Sequence, residues 1–242
     1  RQLLDKGVIT EQELSDRLSR ISFTNDIDSD LVKNADLVIE AVFEDMKIKR
    51  ETFAKLEARC RPDTIFCTNS SVMSPSEISA ELQHRERFVG THFWNPGHLI
   101  PLVEVVKSDA SSDEVAQTVM EVLRSVGKKP VLCKKDVPGF IANRMQHALW
   151  REAISIVENG IADAATVDEA VRYSFGLRLP QLGGVAHQRL PQRRLPLLGI
   201  AETFHPLAGL PAHQPLRAID EVLVIEVRHP GGQLKQLALV AV

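Results

Sequence analysis

A histidine and a glutamate twelve residues apart, His92 and Glu104, carry the strongest chemical signal in this chain. The run Arg87-Phe88-Val89-Gly90-Thr91 reads as a strand that delivers His92 at its end. Asn95-Pro96-Gly97 breaks that strand. Leu102 to Val106 then forms a second one, with Glu104 set among Leu and Val neighbours. A carboxylate inside such a strand is costly to bury without a partner, and His92 is the obvious one. A Glu that accepts a hydrogen bond from one imidazole nitrogen fixes the tautomer. The other nitrogen is left as a base near neutral pH. Such a dyad suits removal of a proton from an alcohol. On the residues alone, the competing readings are a core histidine at a strand end and a solvated strand glutamate.

The elements that must hold this pair follow from periodicity. Ala35 to Val42 is mostly apolar and rich in branched residues, as in a parallel strand covered on both faces. Lys47 to Cys60 spaces Phe53, Leu56 and Cys60 at helical intervals. Thr64 to Cys67 is the next strand, Glu77 to Leu82 is helical, and the strand ending at His92 follows. Ser111-x-x-Glu114 caps a helix bearing Val115, Val119, Val122 and Val126 and closed by Gly127. Pro130 to Cys133 makes another strand. Upstream, Thr10-x-x-Glu13 is a capping box, Ile21 to Thr24 alternates as a strand, and Leu31 to Asn34 forms a short helix. This alternation predicts a parallel, doubly wound sheet with its strand carboxyl ends along one edge. Glu44, Ser71 and His92 fall at or just beyond such ends, where ligands bind in open α/β sheets.

From Pro138 the pattern changes. Phe140, Ile141, Met145, Ala148, Leu149, Glu152, Ile156 and Val157 follow helical spacing, and Asn159-Gly160 ends the run. Thr166-x-x-Glu169 caps a further helix. A second, all-helical domain therefore opens here, with its boundary near Lys135.

Composition narrows the class. A net charge of −3 gives no reason to expect nucleic acid or an anionic membrane as partner. No apolar run approaches the ~20 residues of a spanning helix. Cys60, Cys67 and Cys133 form no C-x-x-C pair, which argues against a zinc site or a disulfide framework and fits a reducing compartment. Cys67 and Cys133 sit in strand-like runs and read as core packing.

Four segments occur in one order: Thr68-Asn69-Ser70-Ser71, His92-Phe93-Trp94-Asn95-Pro96, Leu102-Val103-Glu104-Val105-Val106, and Asp136-Val137-Pro138-Gly139-Phe140-Ile141-Ala142-Asn143-Arg144. Together they resemble the L-3-hydroxyacyl-CoA dehydrogenase family of fatty-acid β-oxidation and butanoate metabolism, from about Ala35 to Pro180. The resemblance implies an α/β fold, a truncated doubly wound (Rossmann-like) parallel sheet followed by a mostly helical second domain. It implies NAD as cofactor and oxidation of (3S)-3-hydroxyacyl-CoA to 3-oxoacyl-CoA. His92 would be the acid/base and Glu104 its orienting partner. Ser71, whose neighbour Ser70 is the other choice, would bond the substrate oxygen and the nicotinamide region. Asn143 would hold the substrate carbonyl. Glu44, Lys49 and Asn95, with Ser71 shared, would contact the cofactor. On the residues alone, Glu44 and Lys49 read more commonly as solvated charges near a helix start, and Asn143 as a helix-start residue bonding locally. The resemblance further implies an acyl-CoA substrate and a homodimer formed through the helical domain; with cysteine usage that fits a reducing compartment, a cytoplasmic location is expected.

Two departures matter. No G-x-G-x-x-G turn with its following acidic residue is present. The family places both before the point where Arg1 falls, so the chain reads as N-terminally truncated. The missing first strand would leave apolar edges exposed at the sheet centre, and cofactor binding would be weak or absent. The expected organisation is residues 1–135 as the NAD-binding domain, 136–180 as the start of the helical domain, and 181–242 as an atypical tail. From Gln188 to Arg217 the tail is dominated by Leu, Pro, Arg, Gln and His. That bias fits a reading-frame slip in a GC-rich gene. Val222 to Val227 still reads as a strand, while His187, His205, His213 and His229 lack metal spacing. The alternatives are a sugar-acid (L-gulonate type) dehydrogenase of the lambda-crystallin branch, or an inactive fragment acting only as an interaction domain.

Overall fold

The computed structural model describes residues 2–183, 221–225 and 237–241. After α1 (Gln2–Asp5) comes α2 (Glu11–Leu18), opened by the Thr10/Glu13 capping box that the sequence predicts. Then follow β1 (Ile21–Thr24), α3 (Asp30–Lys33), β2 (Leu37–Ala41), α4 (Met46–Glu57), β3 (Ile65–Thr68), α5 (Pro75–Ile78), β4 (Phe88–Phe93) and β5 (Leu102–Lys107). Next are α6 (Asp113–Ser125), β6 (Lys129–Cys133), α7 (Ala142–Glu158), α8 (Ala164–Tyr173), α9 (Leu179–Leu182), β7 (Glu221–Ile225) and β8 (Leu237–Ala241).

The described strands form one sheet in the order β1-β7-β8-β2-β3-β4-β5-β6. β2, β3 and β4 run parallel, as expected, and β8, which the sequence reading did not foresee, runs parallel to β2. β5 reverses against β4, and β6 follows β5, so the sheet is mixed. The link from Trp94 to Pro101 is too short for the dozen or more residues of a parallel crossover, so the chain turns back on itself.

Both faces of the central strands β2 to β4 are covered. One face buries Val38, Phe66 and Phe88 under Phe53 and Leu56 of α4. The other buries Leu37, Ile39, Cys67, Val89, Val103 and Val105 under Ala116, Val119, Met120 and Leu123 of α6. Alternate residues of one strand thus enter opposite cores, which explains the unbroken apolar runs.

Several expectations are corrected. β2 does not present an open edge. Leu37–Ala41 pair in parallel with Leu237–Ala241, and β8 in turn pairs with β7. Of the strand expected at Val222–Val227, the described part lies in β7 (Glu221–Ile225) and belongs to the sheet, and Leu239 packs against the α6-side core. Ser112, not Ser111, caps α6, accepting from Val115; Ser111 instead bonds Ser108 and the Phe88 carbonyl. Asp163, not Thr166, caps α8, and Ser74 caps α5, which starts two residues earlier than the predicted Glu77. Each time a polar residue near the predicted cap has the extended backbone that capping needs. The Gln188–Arg217 segment and the four tail histidines lie outside the described residues.

By contacts, one compact unit comprises residues through Arg144 together with the C-terminal strands, and a second begins at Met145. Within the first unit the amides of Ile141 and Ala142 bond to Glu104 of β5. α7, most of which falls in the second unit, is a 17-residue helix with no buried residue, and Met145, Trp150 and Ile154 are exposed. Among the described residues no helix is long and apolar enough to cross a membrane.

Candidate active site

His92 is the penultimate residue of β4 and lies directly opposite Glu104 in the antiparallel β4–β5 pair. Cross-strand partners of this kind project from the same face of the sheet. His92 Nδ1 and Glu104 Oε2 are 2.9 Å apart, and both side chains are buried, His92 at 6% exposure and Glu104 at 0%. Strand register thus supplies the dyad that the residue types predict.

The structure adds partners that sequence reasoning missed. Trp94 Nε1 donates to Glu104 Oε2 at 3.2 Å. The amides of Ile141 and Ala142 donate to Glu104 Oε1 at 2.9 and 3.0 Å. Both oxygens are therefore saturated by donors. Burial pushes the Glu104 carboxyl up, but the His92 imidazole, the Ala142 and Ile141 amides and the Trp94 indole together hold it below the usual carboxylate range. The tight Pro138–Phe140 turn aims those two amides. Gly139 (φ 73°) and Phe140 (φ 47°) are both left-handed. For a bulky side chain that conformation costs on the order of 1–2 kcal/mol. Phe140 is nonetheless buried, its ring centroid 5.6 Å from that of His92.

Asn143 follows Ala142 in the first turn of α7. It is half-buried and makes no side-chain hydrogen bond among the described residues. Asn95 is exposed beside a cis Asn95–Pro96 bond. Neither is hydrogen-bonded to the dyad. Asn69, quoted in the sequence only as part of a motif, ties the neighbouring strands: its Oδ1 accepts from Phe93 N at 3.0 Å.

Glu44 and Ser71 follow the carboxyl ends of β2 and β3. Glu44 Oε1 accepts from Ser71 N at 2.9 Å, and Oε2 accepts from Ser70 Oγ at 2.8 Å. Ser70 is buried and also accepts from Met73 N. Its hydroxyl is therefore committed to the turn, while that of Ser71 has no hydrogen bond among the described residues.

Lys49 is placed otherwise than a solvated charge would be. It is 1% exposed, and its ammonium lies 2.7 Å from Glu40 Oε1, 3.3 Å from the Val42 carbonyl and 3.4 Å from Glu44 Oε2. Glu40, fully buried in β2, also accepts from Val42 N and from Thr68 Oγ1. Sequence reasoning passed over Glu40. The available signal was the one that found Glu104, a carboxylate inside an apolar strand. The Lys49, Phe53, Leu56 spacing also puts Lys49 on the buried face of α4.

The carboxyl edge of β2–β4 thus combines an acceptor-only carboxylate, an unbonded hydroxyl and an exposed carboxamide. That set of acceptors and donors fits a ligand rich in hydroxyl and amide groups. Among the described residues no group of three or more His, Cys, Asp or Glu could hold a metal ion.

Comparison with known proteins bears on this geometry. Residues 1–137 match the family model described as 3-hydroxyacyl-CoA dehydrogenase, NAD binding domain, and residues 139–185 match that of the C-terminal domain. A 5-formyl-3-hydroxy-2-methylpyridine 4-carboxylate 5-dehydrogenase of Mesorhizobium japonicum is 37% identical over 69% of this chain and 53% of its own length. An L-carnitine dehydrogenase of Pseudomonas aeruginosa is 34% identical over 86% of this chain and 65% of its own. The chain therefore spans about half to two thirds of these curated relatives. The solved structure of 3-hydroxybutyryl-CoA dehydrogenase from Escherichia coli K12 matches with a TM-score of 0.67 at 37% identity, over 71% of this chain and 36% of that one.

Proposed function

This chain belongs to the 3-hydroxyacyl-CoA dehydrogenase family of NAD-dependent oxidoreductases, and from that premise we propose that its site oxidises a (3S)-3-hydroxyacyl-CoA to the 3-oxoacyl-CoA. The observation that carries the reading is the buried 2.9 Å contact between His92 and Glu104. With its Nδ1 proton directed at Glu104, His92 keeps the Nε2 lone pair for the substrate hydroxyl. As that proton arrives, the ionised Glu104 carboxylate stabilises the imidazolium and holds its orientation. NAD, when bound, supplies the hydride acceptor. The Ser71 hydroxyl is available to bond the substrate oxygen, and the Asn143 amide to bond the thioester carbonyl. Such donors favour the charge that develops during reaction. Glu44 would accept from ribose hydroxyls, and Asn95 would add a polar contact to the cofactor.

The test is NADH formation from NAD and (3S)-3-hydroxybutyryl-CoA. Turnover that requires the CoA thioester supports the reading. NADH binding without turnover of any hydroxyacyl-CoA would remove it and favour an inactive relative.

A second reading is oxidation of a free 3-hydroxy acid. It is favoured by the L-carnitine dehydrogenase relative, whose match extends over 86% of the chain. The chemistry at the hydroxyl is unchanged; only the group that anchors the substrate differs. Activity on L-carnitine, or on L-gulonate, with none on the CoA substrate would select this class. We also infer that the exposed apolar face of α7 is covered by a second copy, as the family resemblance implies; sedimentation as a monomer at micromolar concentration would refute this.

A further inference from the structure

The reaction proposed above makes no use of Glu40, although it is a fully buried carboxylate at the edge where the cofactor would lie. It projects from the same face of β2 as Val38, toward α4, where Lys49 meets it. Burial of either charge alone would be strongly unfavourable, so the two are mutually dependent. The arrangement is not a closed pair. Lys49 has three hydrogens and faces three acceptors: Glu40, the Val42 carbonyl and Glu44. Of these, only Glu44 reaches solvent, at 41% side-chain exposure. Glu44 in turn holds Ser70 Oγ and Ser71 N. A continuous path of polar contacts therefore runs from Glu40 through Lys49 and Glu44 to the turn that carries the Ser71 hydroxyl. Thr68, bonded to the second oxygen of Glu40 at 2.7 Å, ties the start of that path to the end of β3.

We propose that Glu40 is a positioning residue: through Lys49 it fixes the Glu44 carboxylate against the Ser70–Ser71 turn and so presets the acceptor that a nicotinamide cofactor's hydroxyl groups meet. Lys49 acts on the cofactor through Glu44, because its own hydrogens are already committed. The consequence for the cofactor rests on the reading of the site given above; the brace itself does not.

Two variants separate positioning from folding. Lys49→Met removes the link. Glu40→Gln/Lys49→Met removes both buried charges and should restore the thermal stability that the single change loses, since a neutral buried pair carries no uncompensated charge. The Ser71 backbone amide proton, observed by NMR, reports whether Glu44 still accepts from it. NADH fluorescence titration reports the cofactor. In the refolded double variant the Ser71 resonance should move to the position of an unbonded amide, and the NADH dissociation constant should rise about tenfold, the loss of one charge-assisted hydrogen bond. An unmoved Ser71 resonance would show that the turn holds Glu44 unaided and would overturn the proposal. A displaced resonance with unchanged NADH affinity would overturn the cofactor role. A displaced resonance in a chain whose wild type leaves NADH unbound would instead refute the reading of the site while upholding the brace.

Discussion

Trp94 and His92 donate to the same oxygen of Glu104, from 3.2 and 2.9 Å respectively. The indole is therefore part of the device that orients the base. One carboxylate oxygen serves β4 and the residue just beyond it, while the other serves the start of α7. A change at any of these donors should reach the imidazole.

Trp94→Phe keeps most of the ring but removes the donor. Hydrogen bonds to charged groups contribute roughly 1.5–3 kcal/mol. The variant should lose unfolding free energy by an amount in that range, and turnover should fall with little change in NADH affinity. Chemical denaturation and steady-state kinetics would check both; unchanged turnover would show that the indole bond is dispensable.

His92→Gln should lower turnover by ~10²-fold or more and leave NADH affinity nearly unchanged. A rate equal to that of the wild type would take His92 out of the reaction.

Glu104→Gln should be pH-selective. Burial pushes the folded Glu104 carboxyl up, but His92, the Ala142 and Ile141 amides and Trp94 together hold it below its ordinary value. Ionised Glu104 therefore contributes stability that is fully present above the unfolded value near ~4.3 and is lost as pH falls through the lower folded value. The wild type should exceed the variant in stability at neutral pH, and the two melting curves should converge in acid. A gap that stays constant with pH would contradict the ionised, donor-held carboxylate.

Gly139→Ala should strain the turn that aims the Ile141 and Ala142 amides. The backbone there has φ 73°, and an added Cβ would sit 3.2 Å from Arg144 Cγ. A cost of about 1 kcal/mol or more is expected from the conformation alone, together with reduced turnover. Equal stability in thermal melts would show that the turn relaxes freely.

Leu239→Pro tests the strand pairing beside β2. Proline removes a ladder donor from β8, which has neighbours on both sides. Hydrogen exchange at Leu37 and Ile39 in β2 should accelerate, while amides in the β4–β5 pair stay protected. Unaltered exchange in β2 would exclude that pairing in solution.

Much of this was legible beforehand, for local reasons. Phe53 and Leu56 at helical spacing, the apolar run over β2 and the Thr10/Glu13 box each encode an element within a few residues. The dyad was legible because Glu104 sits in an apolar strand one short link from a strand ending in His92. The caps at Ser112 and Asp163 were misplaced by one to three residues, since adjacent polar residues offer the same chemistry and backbone conformation selects among them.

The sequence by itself determined most of the strands and helices between Ala35 and Cys133 and which carboxylate needed a histidine, because both follow from side-chain type and short spacing. Only the tertiary structure decided that β8 lies beside β2, that Lys49 is buried on Glu40, and that Trp94, Ile141 and Ala142 share the Glu104 carboxylate. These are contacts between segments distant in the chain or on opposite sides of a turn. Their partners are chosen by strand register and by the need to satisfy every buried polar group, which no local pattern of residues records.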